Sequence, residues 1–294
     1  VLTPETPAPG TPAPGTPTSE TLGDGGAGAP PLTVGVSLKM YFGHARTLEW
    51  TRAVADVART HPAVTGGLVD LFVVPTFPAL VPVREALAGT RVHLGAQDLA
   101  WADEGAYTGE VSGRELREIG CDLVEVGHAE RRRLFGEDDR VVADKVHAAL
   151  RNGLTPLLCV GEETAPADGV AAADAVAAAL AAVTAQLDSA LAAAAAAGAL
   201  GPVLVAYEPV WAIGAPAPAP DAHVVGVLEG LRAWLGTCPE LAGSRVVYGG
   251  SAGPGLLTRG AGRIRGLFLG RFAHDPAAVA AILDEALALE GVAA

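Results

Sequence analysis

Residues 202–208, PVLVAYE, run apolar and then stop on a carboxylate, with Pro209 immediately after. A short apolar run of this kind reads as a buried β-strand that delivers Glu208 at its C-terminal end. Other runs repeat the pattern: TVGVSLK (33–39), DLFVVP (70–75), RVHLGAQ (91–97), DLVEVG (122–127), TPLLCVG (155–161), RVVYGG (245–250) and RGLFLG (265–270). Between and after them, helical segments are expected around 46–60, 81–88, 113–119, 138–152, 171–198, 222–236, 254–260 and 276–290. Strands alternating with helices make parallel βα units, and eight of each in about 260 residues is the size of a (β/α)8 barrel of the α/β class. A doubly wound open sheet is the alternative, but no GxGxxG turn follows the first strand. A barrel demands that reactive side chains gather at the C-terminal strand ends. Lys39, Gln97, His128, Glu162, Glu208, Ser251 and Gly270 all fall at such ends.

Composition bounds the rest. The chain has 294 residues, 50% of them hydrophobic, with a mean hydropathy of +0.34, enough to bury a large core. Residues 1–30 repeat TPAPG and carry little that could pack, so a disordered Pro/Gly/Thr-rich tail is expected before one barrel domain over 31–294. The formal charge of −13 disfavours nucleic acid and anionic membranes as partners, so any phosphate site must be built locally. Apolar runs are expected to be too interrupted to span a membrane, and the Ala-rich stretch 171–200 is expected to be a wet-sided helix, with Asp174, Gln186 and Asp188 facing water. The N-terminal residues lack a basic segment followed by an apolar one, which makes the cytoplasm the expected location. Three widely spaced cysteines suggest reduced thiols, with no metal cluster.

Several residues suit a proton-transfer site. Glu208, followed by Pro209, Val210 and Trp211, is a candidate base that a closing flap would shield from water. His128 in VGHAERRRLFGE sits where a strand meets a helical turn; at a helix N-terminus its ring would stay neutral and could polarise a carbonyl. Each could also be an ordinary loop residue. Glu130 can pair with Lys39 or with the adjacent arginines. Lys39 is a cation at the end of the first strand, suited to developing negative charge or to phosphate. YGGSAG (248–253) and FLGRF (268–272) place glycines after the last two strands, where backbone N–H groups can cradle an anion.

Together SLKM, GAQD, GAYTGE, VEVGHAERR, FGE, LLCVGE, AYEPVWAIG and YGGS, in that order, resemble the triosephosphate isomerase family over nearly the whole chain after the tail. The resemblance implies a TIM barrel and a cofactor-independent, metal-free isomerase that works through an enediolate. It makes Glu208 the base, His128 the neutral electrophile, Lys39 the electrostatic lysine and Glu130 a supporting carboxylate. It gives Gly214, Ser251, Gly270 and Arg271 to phosphate, and Ser37 to the substrate pocket. Gln97 and Thr108 match positions near a subunit interface, so a homodimer is implied. The leading substrate is triose phosphate, glyceraldehyde 3-phosphate with dihydroxyacetone phosphate. Departures cluster at the site: Ser37 and Leu38 before the lysine, Tyr41 and Phe42 after it, Ala129 for a serine, and Gly270-Arg271-Phe272 for a Gly-Gly turn. The lid tip reads Ala215-Pro216-Ala217, whose proline implies a stiffer hinge. These changes resemble the branch that isomerises four-carbon erythrulose phosphates, so an erythrulose phosphate or erythrose 4-phosphate isomerase is the alternative. A sugar-phosphate-binding barrel without turnover is the third reading.

Overall fold

The computed structural model describes residues 30–215 and 217–291. The expected tail, apart from Pro30, and the hinge proline Pro216 lie outside the described residues. Eight strands form a closed parallel barrel: β1 Leu32–Ser37, β2 Val69–Val74, β3 His93–Ala96, β4 Leu123–Val126, β5 Thr155–Val160, β6 Leu204–Tyr207, β7 Arg245–Tyr248 and β8 Gly266–Leu269. Each pairs with the next, and β1 also pairs with β8, so Val36 lies opposite Val73 on one side and Leu269 on the other.

Alternation along the strands builds two cores. Phe72, Val74, Leu123, Leu157, Cys159, Leu204, Ala206, Val247 and Phe268 point inward and fill the barrel. Their neighbours Val73, Val124, Leu158, Val205, Val246 and Leu267 point outward, against the helices. Inside, Phe72 and Phe268 stack with centroids 5.8 Å apart. Burying such a ring is worth roughly 1.5–3 kcal/mol, which makes the floor beneath the strand ends rigid.

Several strands stop earlier than expected, since their last polar residues turn into loops. Lys39 lies past the end of β1 with φ 45, the left-handed region, where a lysine costs about 1–3 kcal/mol. The Gln97 side chain compensates by donating to the Lys39 and Val74 carbonyls at 3.0 and 3.1 Å. Gln97 therefore works within the chain, fixing the backbone under the lysine. Among the described residues, two α-helices lie outside the expected segments: the single turn Pro62–Thr65, and Ala129–Phe135, which precedes Asp139–Arg151.

The helix Ala172–Ala196 corrects two expectations. Its length and hydropathy are those of a membrane-crossing helix, contrary to the reading that no run is long enough. It packs Ala175, Ala179, Val183, Leu187, Ala190, Leu191 and Ala194 along one buried stripe in the outer ring. Gln186 does not face water, since its amide donates to the Gly161 carbonyl at 2.9 Å and accepts from the Gly161 N–H at 3.0 Å. That pair clamps the turn after β5.

A second clamp lies behind β3 and β4. Lys145, 2% exposed on Asp139–Arg151, donates to Asp98 and Glu137 at 2.6 Å each. Arg131 pairs with the same two carboxylates at 2.8 and 2.6 Å, and so ties the helix that carries Glu130 to the barrel.

Candidate active site

One cavity opens at the C-terminal end of the barrel. Ser37, Lys39, His128, Glu130, Glu208, Gly214, Ser251, Gly270 and Arg271 all line it. These are the residues singled out from the sequence, and the fold brings them together from five strand ends. Tyr41, Ile213, Phe268 and Phe272 add apolar walls that single-residue reading did not assign.

Glu208 follows β6 directly and is 5% exposed. Two glycines make room for it. A Cβ on Gly161 would lie 1.8 Å from the Glu208 carbonyl oxygen, and one on Gly249 would lie 2.6 Å from its Oε1. Burial pushes its carboxyl up to about 7; Lys39 pulls down and Glu130 pushes further up. The group is therefore a base strong enough for carbon acids that still ionises near neutrality.

His128 caps the helix Ala129–Phe135, and its Nδ1 accepts the Glu130 backbone N–H at 3.1 Å. With Nδ1 used as an acceptor, a neutral ring carries its proton on Nε2. Nε2 points at the reacting region, 3.5 Å from Glu208 Oε2. Burial and the Lys39 ammonium lower the ring to about 4, so it is uncharged at neutral pH. It can donate a hydrogen bond to a carbonyl oxygen without giving up a proton in the ground state.

Lys39 Nζ donates to Glu130 Oε1 at 2.9 Å. Desolvation alone would lower the ammonium, but the Glu130 hydrogen bond and the surrounding carboxylates outweigh it and hold Lys39 above its ordinary value. Desolvation likewise pushes Glu130 up, and the Lys39 contact more than reverses it. The pair stays ionised, with a cation fixed beside the cavity.

The flap after β6 is anchored below. Trp211, in the short 3-10 turn Val210–Ala212, donates to Glu162 Oε1 at 2.8 Å, and Tyr207 Oη donates to the same oxygen at 3.1 Å. His223 Nε2 lies 3.2 Å from it. Desolvation would raise Glu162, yet these donors hold its carboxyl below its ordinary value, so a carboxylate pins the flap base. Beyond it, Gly214 adopts φ 75 at the cavity edge. Glu162 was visible in the sequence as a strand-end residue, but its partners come from distant parts of the chain.

Glu125 was missed. It is 4% exposed on the inward face of β4, two residues above Leu123, and its Oε2 accepts from Ser37 Oγ at 3.3 Å. The available signal was an acidic residue inside an otherwise apolar strand.

Residues 32–286 match the family pattern described as triosephosphate isomerase. This chain belongs to the triosephosphate isomerase family. Its barrel is similar to the crystal structure of triosephosphate isomerase from Bartonella henselae, with a TM-score of 0.69 and 28% identity over 86% of this chain and 98% of that one. Among curated relatives it is 50% identical to the L-erythrulose-1-phosphate isomerase of Pectobacterium atrosepticum over 262 residues, 89% of this chain and 98% of that protein. It is 42% identical to the protein of the same name from Mesorhizobium japonicum, over 75% of this chain and 85% of the relative. The chain is thus an isomerase of the triosephosphate isomerase family, and its cavity is the candidate active site.

Proposed function

We propose that this isomerase acts on a four-carbon sugar phosphate, an erythrulose phosphate, rather than on triose phosphate as its main substrate. The observation that carries the choice is the 50% identity to an L-erythrulose-1-phosphate isomerase along nearly that protein's whole length. Ser37 and Arg271, the departures noted at the cavity, support it from within the chain. The triose reading rests on the intact Lys39, His128 and Glu208, the Cys159 context and the AYEPVWAIG motif; the three side chains serve either substrate.

In this reading Glu208 takes the proton from the carbon next to the carbonyl, on the side away from the phosphate. His128 Nε2–H and the Lys39 ammonium stabilise the enediolate oxygens, and Glu130 holds Lys39 in place. Glu208 then returns the proton to the former carbonyl carbon, while His128, through Nε2, gives a proton to the former carbonyl oxygen and recovers one from the former hydroxyl oxygen. In a 1-phosphorylated 2-ketose, C1 carries the phosphate ester and cannot become an aldehyde. The carbonyl therefore moves from C2 to C3, a ketose-to-ketose step that amends the expected aldose–ketose interconversion for this substrate. Backbone N–H groups of Gly214, Ser251 and Gly270, with the Arg271 guanidinium, hold the phosphate. Closing the flap keeps water out while the enediolate, prone to expel phosphate, exists.

We further propose a homodimer. Met40, 90% exposed, and Tyr41 stand on the loop after β1, and Trp101 and Tyr107 on the loop after β3, all as exposed apolar side chains. Such a surface fits burial against a second copy, and light scattering after size exclusion would return twice the chain mass, whereas a monomer would end this part of the proposal. The cytoplasm is the compartment proposed with it. For the substrate, the purified protein is assayed with L-erythrulose 1-phosphate and with glyceraldehyde 3-phosphate. A higher kcat/KM for the four-carbon substrate is expected; preference for the triose would restore the other reading, and turnover of neither would leave a binding barrel.

A further inference from the structure

At the level of the strand ends, Cys159, Ala206 and Phe268 fill the barrel interior with weakly polar or apolar side chains, and Leu123 does so just below. Glu125 stands among them as a carboxylic acid. Burying such a group charged and unpaired costs several kcal/mol or more, so its environment should either supply a cation or keep it neutral. Its close polar neighbours supply none: Ser37 Oγ at 3.3 Å, His128 Nε2 at 3.9 Å and Cys159 Sγ at 4.0 Å. The nearby Lys39 ammonium is bound to Glu130 instead. Burial, reinforced by the Glu208 charge, pushes the Glu125 carboxyl up to about 8, above Glu208 at about 7. Burial raises both carboxyls, and Glu125, with no cation within hydrogen-bond reach, is the one its surroundings favour in the neutral form.

Ser37 is the contact between this acid and the cavity. It is 2% exposed at the end of β1, lines the cavity floor and gives its hydroxyl proton to Glu125 Oε2. Its remaining lone pairs are left as an acceptor. Ser37 Oγ and His128 Nε2 approach the same Glu125 carboxyl, 3.3 Å from Oε2 and 3.9 Å from Oε1, and both residues line the cavity.

We propose that Glu125 is a positioning residue for substrate selection: as a neutral acid it fixes the Ser37 hydroxyl as an acceptor for the terminal hydroxymethyl group of a four-carbon sugar phosphate. A triose phosphate has no such group beyond its reacting carbon. Neutrality matters because a second fixed negative charge next to His128 would oppose the enediolate. The inference rests on the four-carbon reading above.

The test compares Glu125→Leu, Glu125→Gln and Ser37→Ala, each on erythrulose phosphate and on glyceraldehyde 3-phosphate, with thermal unfolding as the check on folding. Loss of one oriented hydrogen bond predicts that Glu125→Leu lowers kcat/KM for the four-carbon substrate about tenfold, mainly through KM, with a smaller change for the triose. Glu125→Gln keeps an acceptor oxygen for Ser37 and should restore the substrate ratio. Ser37→Ala should reproduce the shift without touching the barrel interior, which decides the matter if the leucine variant fails to fold. Equal losses on both substrates in Ser37→Ala and Glu125→Leu, or a glutamine variant as impaired as the leucine one, would overturn the role of Glu125. A wild-type chain that prefers the triose phosphate would overturn the four-carbon reading itself, so the two failures are distinct.

Discussion

In the proposed mechanism Glu208 concentrates the chemistry into one side chain, and its surroundings define how it should titrate. With its carboxyl at about 7 and His128 at about 4, the acid limb of kcat/KM should belong to Glu208. Activity should rise roughly tenfold per pH unit below that value and decline again above about 8, where Glu125 ionises beside His128, with no further inflection from the imidazole until far more acid pH. A limb centred well below 6 would contradict the burial argument. Glu208→Gln should lower kcat by about 10²–10⁴, the usual worth of a general base. Gly249→Ala should do similar damage without removing any catalytic group, because its Cβ would stand 2.6 Å from Oε1 and push the carboxylate out of line. Misplacement by about 1 Å can cost about 10²-fold, so a fully active alanine variant would show that the carboxylate has another position open to it. At this scale the sequence made Glu208, His128 and Lys39 legible, since strand-end polar residues stand out against apolar runs. Glu125 stayed hidden because whether a strand residue points inward depends on a register that the strand alone does not display.

Among the elements, β-strands and long helices were legible from apolar runs and periodicity, and their boundaries moved by only a few residues. What the sequence did not display was how elements are locked to each other. Lys145 lies mid-helix and reads as a structural cation, but its partners are not visible in the sequence: it is held between Asp98, after β3, and Glu137, at 2.6 Å each. Removing one partner of a buried ion cluster strands the others, so Lys145→Met should destabilise the fold by about 3–5 kcal/mol. Urea unfolding would read this directly, and a change under 1 kcal/mol would mean that Arg131 alone compensates both carboxylates. Gln186 teaches the same lesson on the helix Ala172–Ala196: an expected wet face instead grips the turn after β5. A helical wheel gives the angle of a side chain about the axis, but only the neighbouring loop decides whether that angle meets water or a backbone carbonyl.

For the whole molecule, the inward carboxylates link stability to pH. Glu125 and Glu208 titrate at about 8 and about 7 in the folded chain, against an ordinary value of 4.5. As pH rises past 4.5 the unfolded chain releases protons that the folded chain retains, so stability should fall from there up to about 8. Glu125→Gln should flatten that decline, as melting temperatures measured across the window would show; an unchanged slope would mean that Glu125 is ionised in the native state. By itself the sequence determined the eight-fold alternation of apolar runs and amphipathic stretches, the polar residues at strand ends, and the family motifs in order. Local periodicity and turn chemistry are enough for those, because each depends on residues close together in the chain. Only the tertiary structure decided that Gln97 supports the strained Lys39 backbone, that Tyr207, Trp211 and His223 converge on Glu162, and that Glu125 stands under Ser37 and His128. Those contacts join residues far apart in sequence, and they exist because closing the barrel brings the inward faces of all eight strands around one axis.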